Sequence, residues 1–306
     1  VCSSDLIYSG GVFKKMKKRH VVLSAALVAM LALTGCGQDQ SKPEEAKAMT
    51  AEEVIAASNE AMNDLDSYGF TMDTNILVDM KENGKMNMSM DSKAETIVKP
   101  NVLIKMDSNL TMEVAGETQE MAMTQYIEGT DTGLALYQGI EGTWSKMVMD
   151  DPEFVEAMTQ NPQEALESYK DSMEKAEILG EEKVGDRNCY KVEMTLSKEA
   201  LGEIMADFSG AGLDPETVEA SKEMITASDL TTILWIDKEN YQMLKQSMDI
   251  SDIVRQAMIA ELQKAGQSED SIGDVTMSME ILYENYNGIS EIVIPDEAKN
   301  AQEIPM

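Results

Sequence analysis

The sequence predicts an α+β protein, mainly β, built on an antiparallel sheet of about ten to eleven strands with a few helical pieces. Three features predict it. Apolar residues fall on every second position over long runs, turn dipeptides separate those runs, and a few capping residues open segments of helical period. The chain has 306 residues, 43% of them hydrophobic and 26% charged, so it can build a core.

The first element after a polar stretch is a helix. Thr50 with Glu53 three residues on forms a capping box, Val54, Ala57, Ala61 and Leu65 share one face, and Tyr68-Gly69 is expected to end it. Strict alternation then begins. Tyr68, Phe70, Met72, Ile76, Val78 and Met80 take even positions, with Asp73, Asn75 and Asp79 between them. Asn83-Gly84 is a hairpin turn, after which Met86, Met88 and Met90 keep the even parity. Pro100-Asn101 turns the chain into Val102, Ile104, Met106, Leu110, Met112 and Val114, and further strands are expected at Met121 to Ile127, Leu134 to Tyr137 and Trp144 to Met149.

Asp151-Pro152 and Asn161-Pro162 each place a cap before Pro, predicting a helical insertion that runs to Met173. Strands resume at Ala176 to Leu179 and Cys189 to Leu196. Ser197 and Asp214-Pro215 open two more helices. The closing β section reads Leu230 to Ile236, a turn at Asp237 to Asn240, and Tyr241 to Ile250. A helix over Ile253 to Leu262 then precedes a long strand through Val275, Met277, Met279, Ile281 and Tyr283.

Charge and targeting narrow the function. Lys and Arg number 25 against 56 Asp and Glu, a net charge of −31, which excludes nucleic acid as a partner because phosphate binding needs a basic surface. Lys14, Lys15, Lys17, Lys18 and Arg19 head an apolar run from Val21 to Ala32, the layout of a secretory signal. Leu33-Thr34-Gly35-Cys36 follows and resembles the lipobox of bacterial lipoproteins. That resemblance implies diacylglyceryl attachment to the Cys36 sulfur, cleavage in front of it, and a membrane anchor on the extracytoplasmic face. The expected organisation is upstream read-through over 1–15, signal peptide over 16–35, polar tether over 36–49 and one domain over 50–306. Five basic residues and one acidic residue precede Cys36, so the segment after the cut keeps 20 against 55, a net −35. His20, the single histidine, leaves with the signal. Catalytic sites and zinc sites that depend on histidine are then excluded, and no enzyme activity or cofactor is expected. Cys189 stands alone as a quiet thiol.

The later landmarks are similar to a known group. Leu234-Trp235-Ile236-Asp237-Lys238 followed by Tyr241, Gly142-Thr143-Trp144-Ser145-Lys146, the Gly180 to Leu196 hairpin and the finish Ile292-Val293-Ile294-Pro295 resemble the LolA/LppX/RseB-like lipoproteins, in a Gram-positive-type version. The resemblance implies an open half-barrel, a curved antiparallel sheet with helices over its concave face, that holds a lipid or acyl chain or binds another envelope protein. This chain departs from it in having 5% aromatics and 26 Met residues.

Thioether side chains make a deformable apolar lining. Phe70, Met72, Met86, Met88, Met90, Ile104, Met106 and Met112 are therefore expected to line a hydrophobic cavity for a lipid or acyl chain. The alternatives are a plugged interior in a sensor or scaffold that docks a partner protein, and Cu(I) held by Met86, Met88 and Met90, whose soft sulfurs fall on one side of a strand. Asp79 to Met90 misses the calcium-loop pattern at its third and twelfth places, so no metal site is expected there.

Overall fold

The structure is a computed structural model of the chain. It describes residues 49–81, 84–114, 116–130, 133–149, 173–198, 201, 229–264, 266 and 268–304. The upstream stretch, the signal with Leu33, Thr34, Gly35 and Cys36, and the tether up to residue 48 lie outside the described residues. So do the insertion helices before Met173 and nearly all of those read after Ser197 and Asp214.

Helix α1 spans Ala51–Asn63, and its capping box is formed as the sequence implies. The Thr50 side chain accepts from the Glu53 backbone N–H at 3.3 Å, and Glu53 Oε2 accepts from the Thr50 N–H at 2.8 Å. The helix ends earlier than the sequence suggests. Tyr68 and Gly69 already belong to β1, because the period-2 pattern outweighs the glycine as a stop signal.

Four long strands follow: β1 (Ser67–Met80), β2 (Gly84–Ile97), β3 (Leu103–Val114) and β4 (Glu117–Gly129). Then come β5 (Leu134–Ile140), β6 (Thr143–Met149), β7 (Met173–Val184), β8 (Arg187–Leu196), β9 (Leu230–Asp237) and β10 (Met243–Asp249). Helix α2 (Ser251–Lys264) and a 3₁₀ turn (Glu269–Ser271) lead to β11 (Ile272–Glu284). A four-residue helix α3 (Asp296–Lys299) and the two-residue β12 (Gln302–Glu303) close the chain.

The twelve strands of the described residues join one sheet in the order β12-β6-β5-β4-β3-β2-β1-β11-β10-β9-β8-β7. The sheet is open and curved, the half-barrel implied by the sequence. Its count exceeds the expected ten to eleven through β12, which pairs parallel to β6 and is too short to leave a periodic signal. Every other pairing is antiparallel.

Among the described residues, α1 and α2 lie on one face of this sheet, here called the inner face. Val54, Ile55 and Met62 of α1 bury against Tyr68, Val192, Met194, Leu234, Ile236 and Met243. Val254, Met258, Ile259 and Leu262 of α2 pack on Val78, Ile272 and Val275. The outer face is covered differently. Ile292, Ile294 and Ala298 of the C-terminal strap bury against Tyr126, Ala135 and Tyr137. The strap is fastened to the start of β1, where the Asn287 N–H donates to the Ser67 carbonyl at 2.7 Å and Asn287 Oδ1 accepts from the Asp66 N–H at 2.7 Å. The Ile292-Val293-Ile294 finish is thus an irregular covering segment, with Ile292 and Ile294 buried and Val293 66% exposed.

Candidate functional site: the thioether face

Strand register decides which side chains share a surface, since directly paired residues point the same way. Met72 stands opposite Ser92 on β2 and Ile281 on β11. Thr74 stands opposite Met90 and Met279, Ile76 opposite Met88 and Met277, and Val78 opposite Met86 and Val275. From β2 to β3 the pairs are Met88 with Met112, Met90 with Leu110, Ser92 with Ser108, Ala94 with Met106 and Thr96 with Ile104. Phe70, Met72, Met86, Met88, Met90, Ile104, Met106 and Met112 therefore all lie on the inner face, and each is half-buried. The structure brings the predicted set together on one surface.

They do not share one environment. Phe70 packs against the core beneath α1, within 6.2 Å of the Tyr283 ring centroid, and Met86 packs against the core beneath α2. Met72, Met88, Met90, Ile104, Met106 and Met112 belong to neither buried cluster. They occupy the sheet surface between and beside the two helices.

Sequence reasoning left further members of this surface out of the set, among them Met277, Met279, Leu110, and Met121 and Met123 of β4, which stand opposite Leu110 and Ser108. Met277 and Met279 are brought beside Ile76 and Thr74 by the β1–β11 pairing, and Leu110 lies opposite Met90. Their alternating parity was visible, but which strand they adjoin was not.

The inner face is also free of charge where those strands meet. Along β11, β1, β2 and β3 every register position on it is uncharged, whereas Asp73, Asp79, Lys85, Asp91, Lys93, Glu95, Lys105, Asp107, Glu113 and Glu280 point to the outer face. One sheet thus separates a solvated acidic surface from an uncharged one.

Four buried hydroxyls interrupt the apolar lining. Ser92 and Ser108 satisfy each other across the strands, Oγ to Oγ at 2.8 Å. Thr74, 6% exposed, and Thr96, 4% exposed, have Oγ1 atoms with no hydrogen-bond partner.

A separate hollow of about 450 Å³ opens on the outer side of β3 to β6, lined in part by Asp107, Asn109, Thr124, Gly139, Glu141 and Trp144. The Trp144 ring lies on Gly139 so closely that a Cβ there would meet ring carbons at 2.9 Å. Asp107 is already engaged, accepting from Thr124 Oγ1 at 2.7 Å and pairing with Lys105 at 2.8 Å. The hollow is therefore a groove around a packed tryptophan, with Asp107 and Thr124 of its lining bonded to each other.

The remaining candidates resolve simply. Cys189 is fully buried beside Trp235 and Leu244, burial pushes its thiol up from the ordinary range, and Sγ donates to the Arg187 carbonyl at 3.7 Å. Asp237, in the Leu234 to Lys238 landmark, is a structural anchor. It receives Arg187 Nε at 2.5 Å and the Glu239 and Asn240 N–H groups at 2.6 and 3.1 Å, which shapes the β9–β10 turn. Among the described residues no group of three or more His, Cys, Asp or Glu could hold a metal ion, and no helix is long and apolar enough to cross a membrane.

The chain shares similarity with several solved structures. The lipoprotein LppX of Mycobacterium tuberculosis is 11% identical, with 79% of this chain and 98% of that one covered at a TM-score of 0.41. LprF from Mycobacterium bovis is 11% identical over 81% and 97%, at 0.40. A LolA superfamily protein from Nitrosomonas europaea is 12% identical over 82% and 97%, at 0.21. No curated protein matches the chain. Residues 50–303 match the model of the Family of unknown function (DUF6612), and the chain belongs to that family.

Proposed function

We propose that this protein is an extracytoplasmic lipoprotein, anchored through diacylglyceryl-Cys36, whose inner sheet face binds a lipid or acyl chain. The observation that supports it is the half-buried, uncharged thioether surface built by Met72, Met88, Met90, Met106 and Met112 with Met277 and Met279. An acyl chain laid on that surface loses contact with water at roughly 25 cal/mol per Å² of apolar area buried. Unbranched thioethers reshape around chains of different length and branching at little cost in strain. The role is binding and carriage, with no catalytic step, and α2 over the Val78 end is the element whose movement would admit a ligand.

The scaffold alternative draws on one observation. Both helices already cover parts of the same face, α1 over the Tyr68 end and α2 over the Val78 end. If these contacts plug the face completely, a partner protein docks elsewhere.

Uptake of a fluorescent acyl probe by the purified chain separates the two. Saturable uptake is expected, and Met88→Glu, which places a charge in the middle of the thioether surface, should weaken it at least tenfold. Uptake equal in the wild type and Met88→Glu, or none in either, would favour the plugged scaffold. Stoichiometric Cu(I) binding by the same protein, lost on replacing Met86, Met88 and Met90, would instead favour the copper reading.

A further inference from the structure

We infer that the inner face selects an uncharged ligand carrying an ester or hydroxyl group, in the class of neutral acylglycerols, and that Thr74 donates a hydrogen bond to it. This deepens the acyl-binding reading and rests on it.

The first observation is the orphaned hydroxyl. Thr74 is 6% exposed and sits at the centre of the face, with Met90 on one side of it and Met279 on the other. Its Oγ1 has no hydrogen-bond partner. A buried hydroxyl left unpaired among apolar groups is destabilising, and a native structure that keeps one calls for a missing partner. Thr96, 4% exposed on the same face between Tyr68 and Ile104, is orphaned in the same way. On the buried side of α1, Ser58 Oγ and Asn59 Oδ1 are orphaned too. Of the five unpaired buried atoms among the described residues, these four lie on the inner side, Thr74 and Thr96 on the strands that carry the thioethers, while the fifth, Trp235 Nε1, lies on the outer face.

The second observation is the absence of charge on the inner face of β11, β1, β2 and β3. A carboxylate or phosphate drawn in to Thr74 would be stripped of water with no cation on those strands to meet it, which is strongly unfavourable. An ester carbonyl has no such penalty. It accepts from a hydroxyl, while its chains lie along the thioethers. Ser92 and Ser108, already bonded to each other next to Met72 and Met106, do not compete for it.

The test compares three probes of matched chain length on the full chain: a fluorescent diacylglycerol, the corresponding free fatty acid and a plain hydrocarbon. The diacylglycerol should bind most tightly. Thr74→Val, which removes the hydroxyl and keeps the shape, should weaken diacylglycerol binding about three- to tenfold and leave hydrocarbon binding unchanged. The same variant, freed of its orphan, should melt no lower than the wild type without ligand. Equal affinity for fatty acid and diacylglycerol, or an unchanged diacylglycerol affinity in Thr74→Val, would overturn the inference and leave acyl binding standing, a buried water then being the hydroxyl's partner. Failure of all three probes would overturn acyl binding itself.

Discussion

Asp73 shows how the acidic composition is felt at single positions. On the outer face it stands between Asp91 of β2 and Glu280 of β11 in direct register. Partial loss of water around the carboxyl, then the Asp91 charge and hydrogen bond, then the Glu280 charge, raise it above the ordinary aspartate range. A carboxyl raised by folding adds stability that is fully present below its unfolded pKa and is lost as pH rises through its folded value. At neutral pH the ionised Asp73 therefore opposes folding. Asp73→Asn should raise the melting temperature at pH 7, by a free-energy gain within about 1 kcal/mol because the site is exposed, and give no gain near pH 3. Thermal melts at the two pH values check this, and a variant that melts lower at pH 7 would refute it. Residues of this kind are paired by the sheet, so Asp79 with Lys85 at 3.7 Å and Lys245 with Glu280 at 2.6 Å relieve part of the same repulsion.

At the scale of elements, the leader and the strands are the most telling. The basic head, apolar run and Leu33-Thr34-Gly35-Cys36 predict that cells expressing the full chain incorporate labelled palmitate into it, and that Cys36→Ser abolishes incorporation. Label retained by Cys36→Ser would contradict the anchor. The strands were legible because parity is local. Met86, Met88, Met90, Ile104, Met106 and Met112 keep even positions through two hairpins, and a register sum of even value holds them on one face. What parity cannot reveal is long-range pairing. Thr74 meets Met279 across about two hundred residues of chain, so neither the enlarged thioether surface nor the buried hydroxyl at its centre could be read in advance. Tyr68 and Gly69 misled for the opposite reason, a local stop signal overruled by the pairing of Gly69 with Glu95 and Glu284. The outer hollow was also unread, since it depends on Trp144 folding back on Gly139 across the β5–β6 pair.

For the whole molecule, the open sheet of the described residues separates a charged face from one that is uncharged along β11 to β3. Its outer face carries the alternating carboxylates and lysines and the C-terminal strap, and its inner face carries helices, thioethers and no charge along β11 to β3. Such a division is wasteful in a protein that binds nothing apolar, because surface methionine side chains contribute more when water is excluded from them. Native mass spectrometry of the full chain, purified in mild detergent and exchanged into volatile buffer, tests this most directly. The account predicts an added mass near one-to-one stoichiometry that organic extraction releases as an uncharged acyl ester. Protein that flies reproducibly at its bare mass, with nothing extractable and no gain after incubation with diacylglycerol, would contradict it.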